Sequence, residues 1–516
     1  MMETGNAKKE KVRQLIDLAL CSGRTNQSPQ TNLVHYFYHP LDEVSQDTIP
    51  LIENFLFALA LLRSRSSDHM VEAKQMIERL LHFQNTFEDA SKGNFPIYLH
   101  DFPQCKDKLL GVSLLAPFYW MLQEFSAVLG SALKPRLELA ARDLLNYCLK
   151  VENGKPLPFS IDIKIAAAAE AFGKLWGDEV LSTRGKEQMS LLCAQSQKPE
   201  FIEWYVTSTI ADTALALQML YPSIANSPWS HFWQHLIDTW HMAARSYTGP
   251  ALKEVQWGEE PQASLYDLFL GYFSQNYSYR AFTNHPFQLY AALIQAVDDI
   301  WPAMTYPLTL THALGEGKYT MVQNKGFAFS AVSKTMEDQQ RDKFFCPLRL
   351  LWGHSNRTHT FVNQGAFGKS IDFETGIDTI DMLYFLNTPF QEDKMEKVRE
   401  VAFYLDHYEG IKISVRGKSA TTFQLDDPIQ IISDNLSITI TFHLEEGSGR
   451  FLGHIMQGNR PSQMHLKGEN RFKSFDWQIF LRTLRRDDKC KIRASIAIEA
   501  LPLPEDSLEI KFKKKT

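Results

Sequence analysis

Cysteine is scarce in this 516-residue chain, and its six copies are scattered. Cys21, Cys105, Cys148, Cys193, Cys346 and Cys490 show no paired spacing, which excludes a disulfide frame or a cysteine zinc site and leaves reduced thiols, with a cytoplasmic location, as the expectation. A basic excess is missing too. The formal net charge of -6 argues against a nucleic-acid partner, and the run Lys511 to Lys515, broken only by Phe512, reads as a solvated tail. No signal-type apolar core follows the polar start Met1 to Lys11. The most apolar early run, Phe55 to Leu62, is far short of a membrane span, so neither a secretory leader nor a membrane partner is expected. There is no P-loop, no dinucleotide glycine fingerprint, no G-x-S-x-G elbow and no CxxC pair. Nucleotide hydrolysis, Rossmann redox chemistry and alpha/beta-hydrolase chemistry drop out with them, and no cofactor or metal is implied.

What is present is a single change of hydrophobic rhythm near Trp301-Pro302. Before it, apolar residues recur at three and four positions, as in Leu265, Leu268, Phe269, Tyr272 and Phe273, the inward stripe of an amphipathic helix. After it they alternate: in Leu436 to His443 the apolar set faces one side, and the hydroxyl and imidazole set the other. The pattern predicts about a dozen helices, among them 51–63, 69–84, 109–129, 134–149, 162–175, 204–220 and 229–245. Short connections make consecutive helices antiparallel neighbours, so stacked hairpins follow, as an open solenoid or a closed ring. Beyond Thr305 the expected strands include 411–416, 436–443, 477–483 and 491–498. Their regular spacing predicts stacked antiparallel sheets, with a charged surface turn or short helix around Gln391 to Arg399. The domains expected are 1–300, helical, and 301–516, an antiparallel beta-sandwich.

Two stretches carry a resemblance. Glu203-Trp204-Tyr205-Val206-Thr207-Ser208-Thr209-Ile210-Ala211-Asp212 with Leu215-Ala216-Leu217 is similar to the opening of a toroid helix, E-[YW]-x-S-x-T-Y…L-x-x-L, in heparinase II/III-like polysaccharide lyases. Thr248-Gly249-Pro250-Ala251-Leu252-Lys253-Glu254-Val255 sits where such proteins carry G-P-x-x-R-x-Y. The resemblance implies an alpha/alpha toroid joined to an antiparallel beta-sandwich, and beta-elimination on an acidic, uronate-containing poly- or oligosaccharide. The chain departs from the pattern at Lys253, where arginine is expected, and at Val255, where tyrosine is expected. Lysine keeps the charge but loses the bidentate fork, and valine can do no proton chemistry.

Elimination beside a uronate carboxylate needs a group that neutralises the carboxylate, a base and an acid, with aromatic plates for the sugar rings. The candidate catalytic set is Tyr205, Lys253, Tyr247 and His241. The candidate substrate-binding set is Glu203, Trp204, Trp257, Glu260, His354 and Asn363. Each has a plainer role open to it: Glu203 complements a helix dipole, Trp257 lids the core, and His354 and Asn363 belong to an ordinary polar turn and strand. His231, His235 and Asp238 have a spacing that could hold zinc, but no HExxH accompanies it, and a solvated helix face accounts for them better. Two other outcomes stay open: a toroid hydrolase pairing Glu203 with Glu259 or Asp267, and a degenerate scaffold that binds glycan or protein without turnover.

Overall fold

The computed structural model describes residues 48–152, 156–198 and most of 13–35 and 207–254, then most of 305–457 together with 477–501. Contacts divide the chain into two compact units: Met1–Asp238 with Gln262–Ala303 and His465–Glu469, and Thr239–Pro261 with Met304–Met464 and Asn470–Thr516. The segment that carries Lys253 thus clusters with the sheets.

In the first unit the described helices are α1 (Leu51–Arg63), α2 (Ser67–Leu81), α3 (Leu115–Glu152), α4 (Phe159–Trp176), α5 (Glu179–Ser196), α6 (Thr207–Leu220) and α7 (Ser230–Thr239). α1 is buried from Leu51 to Leu62, a run apolar apart from Glu53 and Asn54, whereas α2 buries only Ala73, Met76, Ile77 and Leu80, the one-stripe spacing of a helix with a wet face. The two pack together, as do α3 with α4 and α4 with α5 and α6. Non-helical Phe125 and Gly130 interrupt α3; Gly130 has φ +73°, which glycine adopts without penalty, and Pro135 follows soon after. The α4–α5 hairpin closes over two residues. Gly177 takes the left-handed C-terminal position, and the Asp178 carboxylate accepts the Leu181 N–H at 3.0 Å as N-cap. Small residues bring these helices close, since a Cβ on Gly185 would lie 2.3 Å from the Glu170 nitrogen.

The sequence places a helix over 229–245, but α7 stops at Thr239. Trp240–His241 and Ser246–Tyr247 form a two-stranded ladder instead, and Thr248 donates through its N–H (2.6 Å) and Oγ1 (2.8 Å) to the Thr239 carbonyl. A side chain and a backbone N–H thus take the carbonyl that a longer helix would have used, and the apolar stripe of Trp229, Phe232 and Trp233 is already buried before this point.

The second unit is built on two antiparallel sheets. One runs, edge to edge, through Thr422–Phe423, Gly449–Gln457, Trp477–Arg486, Arg399–Leu405, Arg357–Gln364, Leu348–His354, Phe327–Val332, Gly317–Gln323 and Leu308–Leu314. The other runs through Lys412–Val415, Ile429–Ser433, Leu436–Glu446, Cys490–Ala500, Thr379–Leu386, Ser370–Thr375 and Lys334–Thr335. Alternation sets the register: Ile438, Ile440 and Phe442 are buried opposite Ile498, Ile496 and Ala494, while Thr439, Thr441 and His443 are partly exposed. The inward residues of both sheets form one core that includes Trp352, Phe361, Phe403, Ile431, Ile440 and Ile492. Arg399 opens a strand, and 391–398 lie outside the described residues.

Candidate functional site

Glu203, Trp204, Tyr205, Trp257 and Glu260 lie outside the described residues, as do Glu259 and Asp267. Lys253 pairs with Phe344 in the short ladder of Leu252–Glu254 with Lys343–Phe345, and Tyr247 pairs with Trp240; of both, only the backbone is described. His354 ends its strand opposite Arg357, again as backbone only.

His241 and Asn363 are described in full, and both have structural work. His241 is 0 % exposed, and its Nε2 donates to the Asn324 carbonyl at 2.6 Å. Burial lowers its pKa further than that bond raises it, so the ring stays neutral. Asn363 is also 0 % exposed. Its Nδ2 donates to the Ala402 carbonyl at 2.9 Å and its Oδ1 accepts from the Tyr384 hydroxyl at 2.9 Å, which fastens one sheet to the other. A sugar cannot reach an amide so placed, and the substrate-facing role expected for Asn363 is replaced by a role in the core.

Among the described residues, no group of three or more His, Cys, Asp and Glu could hold a metal ion. His231 instead meets Ser196 Oγ at 2.8 Å and stacks on Trp229.

An open hollow of about 730 Å³ lies at the surface of the helical unit between Ile97 and Leu109. Its wall is a loop held at both ends. Leu51 N–H donates to the Ile97 carbonyl (3.0 Å) and Leu99 N–H to that of Ile49 (2.9 Å). At the far end, the Tyr147 hydroxyl donates to the Lys108 carbonyl at 3.0 Å and Asn94 Nδ2 to the Asp107 carbonyl at 3.2 Å. Burial pushes the Tyr147 hydroxyl up to about 12, so it remains a donor at any physiological pH. On this wall the Tyr98 and His100 rings stack at 5.4 Å, 6° from parallel, with Tyr98 buried and His100 exposed. Lys106 pairs with Asp101 at 2.6 Å, and Asp107 Oδ1 accepts the N–H groups of Leu109 (2.8 Å) and Leu110 (3.1 Å).

A second feature lies deeper. Lys164 on α4 (8 % exposed) and Asp212 on α6 (4 % exposed) form an ion pair at 3.1 Å, with Ser113 Oγ 3.5 Å from the lysine. A small, mostly apolar hollow lined by Val112, Leu115, Leu215 and Met219 adjoins it. Burial raises the Asp212 pKa more than Lys164 lowers it, and Asp212 Oδ1 has no hydrogen-bond partner. Asp212 closes the Glu203–Asp212 stretch, so its carboxylate ties the helix that follows Tyr205 to its neighbour.

Neither feature was among the residues singled out from sequence, though each left a sign there. The 33 residues between α2 and α3 are far longer than an ordinary helix connection and contain Tyr98-Leu99-His100-Asp101 and Lys106-Asp107-Lys108. Lys164 is a lone charge in the apolar run Ile163 to Ala169.

No family model matches the sequence, and no curated protein matches it. Among solved structures, heparinase III is similar over 96 % of this chain and 86 % of its own, with a TM-score of 0.53 at 8 % identity. The chondroitin AC lyase of Streptomyces coelicolor A3, in complex with chondroitin sulphate, covers 97 % of this chain and 80 % of its own at a TM-score of 0.47 and 9 % identity. The fold is that of a heparinase-like polysaccharide lyase: helical hairpins of the alpha/alpha toroid class, then antiparallel sheets.

Proposed function

We propose that the protein is a carbohydrate-active protein of the polysaccharide lyase type, acting on an acidic poly- or oligosaccharide. The observation that carries this reading is the likeness to heparinase III along nearly the whole chain, together with the Glu203 to Val255 motifs in the sequence. In such an elimination a base removes the proton from the carbon bearing the carboxylate. The electron pair forms a carbon–carbon double bond, the bond to the glycosidic oxygen breaks, and that oxygen takes up a proton. Tyr205 and Tyr247 are the proton-transfer candidates, and Lys253 is the cation for the carboxylate. His241 is not assigned a proton-transfer step, because its Nε2 is committed to a carbonyl.

Val255, which stands where the related pattern has tyrosine, favours a second reading: a scaffold that holds acidic glycan without cutting it. One experiment separates them. The full chain is incubated with heparin- and chondroitin-class polysaccharides while ultraviolet absorbance and chain length are followed. Elimination yields shorter chains that absorb in the ultraviolet. New reducing ends without absorbance mean hydrolysis, and saturable binding with unchanged chain length means a scaffold; either result overturns the lyase reading.

A further inference from the structure

The charge at the 97–109 cavity is balanced, which is unexpected for a protein read as gripping acidic glycans. Lys106 and Lys108 are matched in number by Asp101 and Asp107, so the lysines and aspartates of the wall cancel in formal charge. An isolated anion would meet two carboxylates as well as two ammonium groups, so the site offers it no net charge. Sugar hydroxyls fit better. A vicinal diol can donate to a carboxylate oxygen while accepting from an ammonium group, and it needs no net charge. Two of these groups are not spent on protein contacts among the described residues: Lys108 has no ion pair or side-chain hydrogen bond, and Asp107 uses only Oδ1 on backbone N–H groups. The plate is ready as well. His100 lies parallel to Tyr98, which backs it from the buried side, and its exposed ring is a surface on which the C–H face of a pyranose can rest. Backbone and side-chain bonds at both ends hold the loop, so binding would order little.

We infer that this cavity is a saccharide subsite selective for an uncharged pyranose, with Tyr98 and His100 as the platform and Asp107 and Lys108 as the hydroxyl ligands. The inference rests on the carbohydrate reading above and adds to it that one sugar of the bound chain is recognised without its charge.

The test is calorimetric titration of the full chain with a neutral disaccharide, cellobiose, and with its uronate counterpart, cellobiuronic acid, at low and high salt. The expected result is binding of the neutral sugar that is insensitive to salt and weakened about tenfold by His100→Ala or by Lys108→Ala, the loss of one good contact. Both positions are exposed, so neither substitution threatens the fold. Preference for the uronate with strong salt dependence, no saturable binding of the neutral sugar, or full affinity in both variants would overturn the assignment. The lyase reading fails separately, by the absence of an ultraviolet-absorbing product from acidic polymers.

Discussion

The helical and the sheet units each contain a buried tie between elements, and the two ties differ in chemistry. Between the sheets two buried fastenings are neutral: Trp352 Nε1 donates to Ser433 Oγ at 2.5 Å, and the Tyr384 hydroxyl to Asn363 Oδ1 at 2.9 Å, while an ion pair that joins them, Lys318 with Asp372 at 3.4 Å, is half exposed. In the helical unit a deep fastening is ionic, Lys164 with Asp212, and leaves one carboxylate oxygen unbonded, beside neutral ones such as Asn54 with the Val34 backbone. A strand turns every second side chain away from the core, which gives Lys491 and Arg493 a partly exposed sheet face on which to bind Glu445, although Arg349 is buried in its strand. A helix packed on several sides offers no such exit. The difference teaches where each unit is vulnerable: charge taken from the helical interior exposes an uncompensated partner, whereas a neutral pair in the sandwich loses one hydrogen bond.

The largest effect should come from Lys164→Met, which leaves a buried carboxylate without its cation. Denaturant unfolding is expected to show a loss of about 3–5 kcal/mol, with most of it recovered when Asp212→Leu is added. A double variant as weak as the single one would mean that packing, not charge, holds these helices. Tyr384→Phe tests the sheet side. It strips the Asn363 oxygen of its donor at nearly constant volume and should cost about 1–3 kcal/mol; a cost equal to that of Lys164→Met would erase the contrast between the units.

The smallest effect concerns pH. Burial raises Asp212, so the folded chain holds this proton more tightly than the unfolded chain. Its contribution is full below the unfolded value, about 3.9, and is lost as pH rises through the higher folded value. Asp212→Asn has no such titration, so the stability of the wild type relative to this variant should fall as pH rises across that window. Unfolding curves at a series of pH values measure it. A difference that grows with pH would show that Lys164 outweighs burial.

Much of the architecture was legible from spacing. The limits of α1 match the apolar run from Leu51 to Arg63, and the break between the helices expected at 109–129 and 134–149 is the interruption at Gly130. The strand Leu436–Glu446 keeps the alternation read from Leu436 to His443. Parity also held the answer for Asn363: it stands two residues from Phe361 and so shares the inward face, a fact that a list of polar residues hides. The overrun of α7 has another cause. Its apolar stripe continues in the sequence through Trp240, whereas the bonds from Thr248, eight residues farther on from that tryptophan, take the Thr239 carbonyl at the helix end.

Periodicity alone thus determined that helices come first and antiparallel sheets second, because burying one face of an element writes its repeat into the chain. Which partner each buried polar residue meets was decided only by folding. His241 met the Asn324 carbonyl, Asn363 met Tyr384, Lys164 met Asp212, and the loop from Ile97 to Leu109 was fixed around an open hollow by partners up to 50 positions away, as from Ile49 to Leu99 and from Lys108 to Tyr147. Such pairings depend on distances between elements, and a sequence records the order of residues but not which of them will meet.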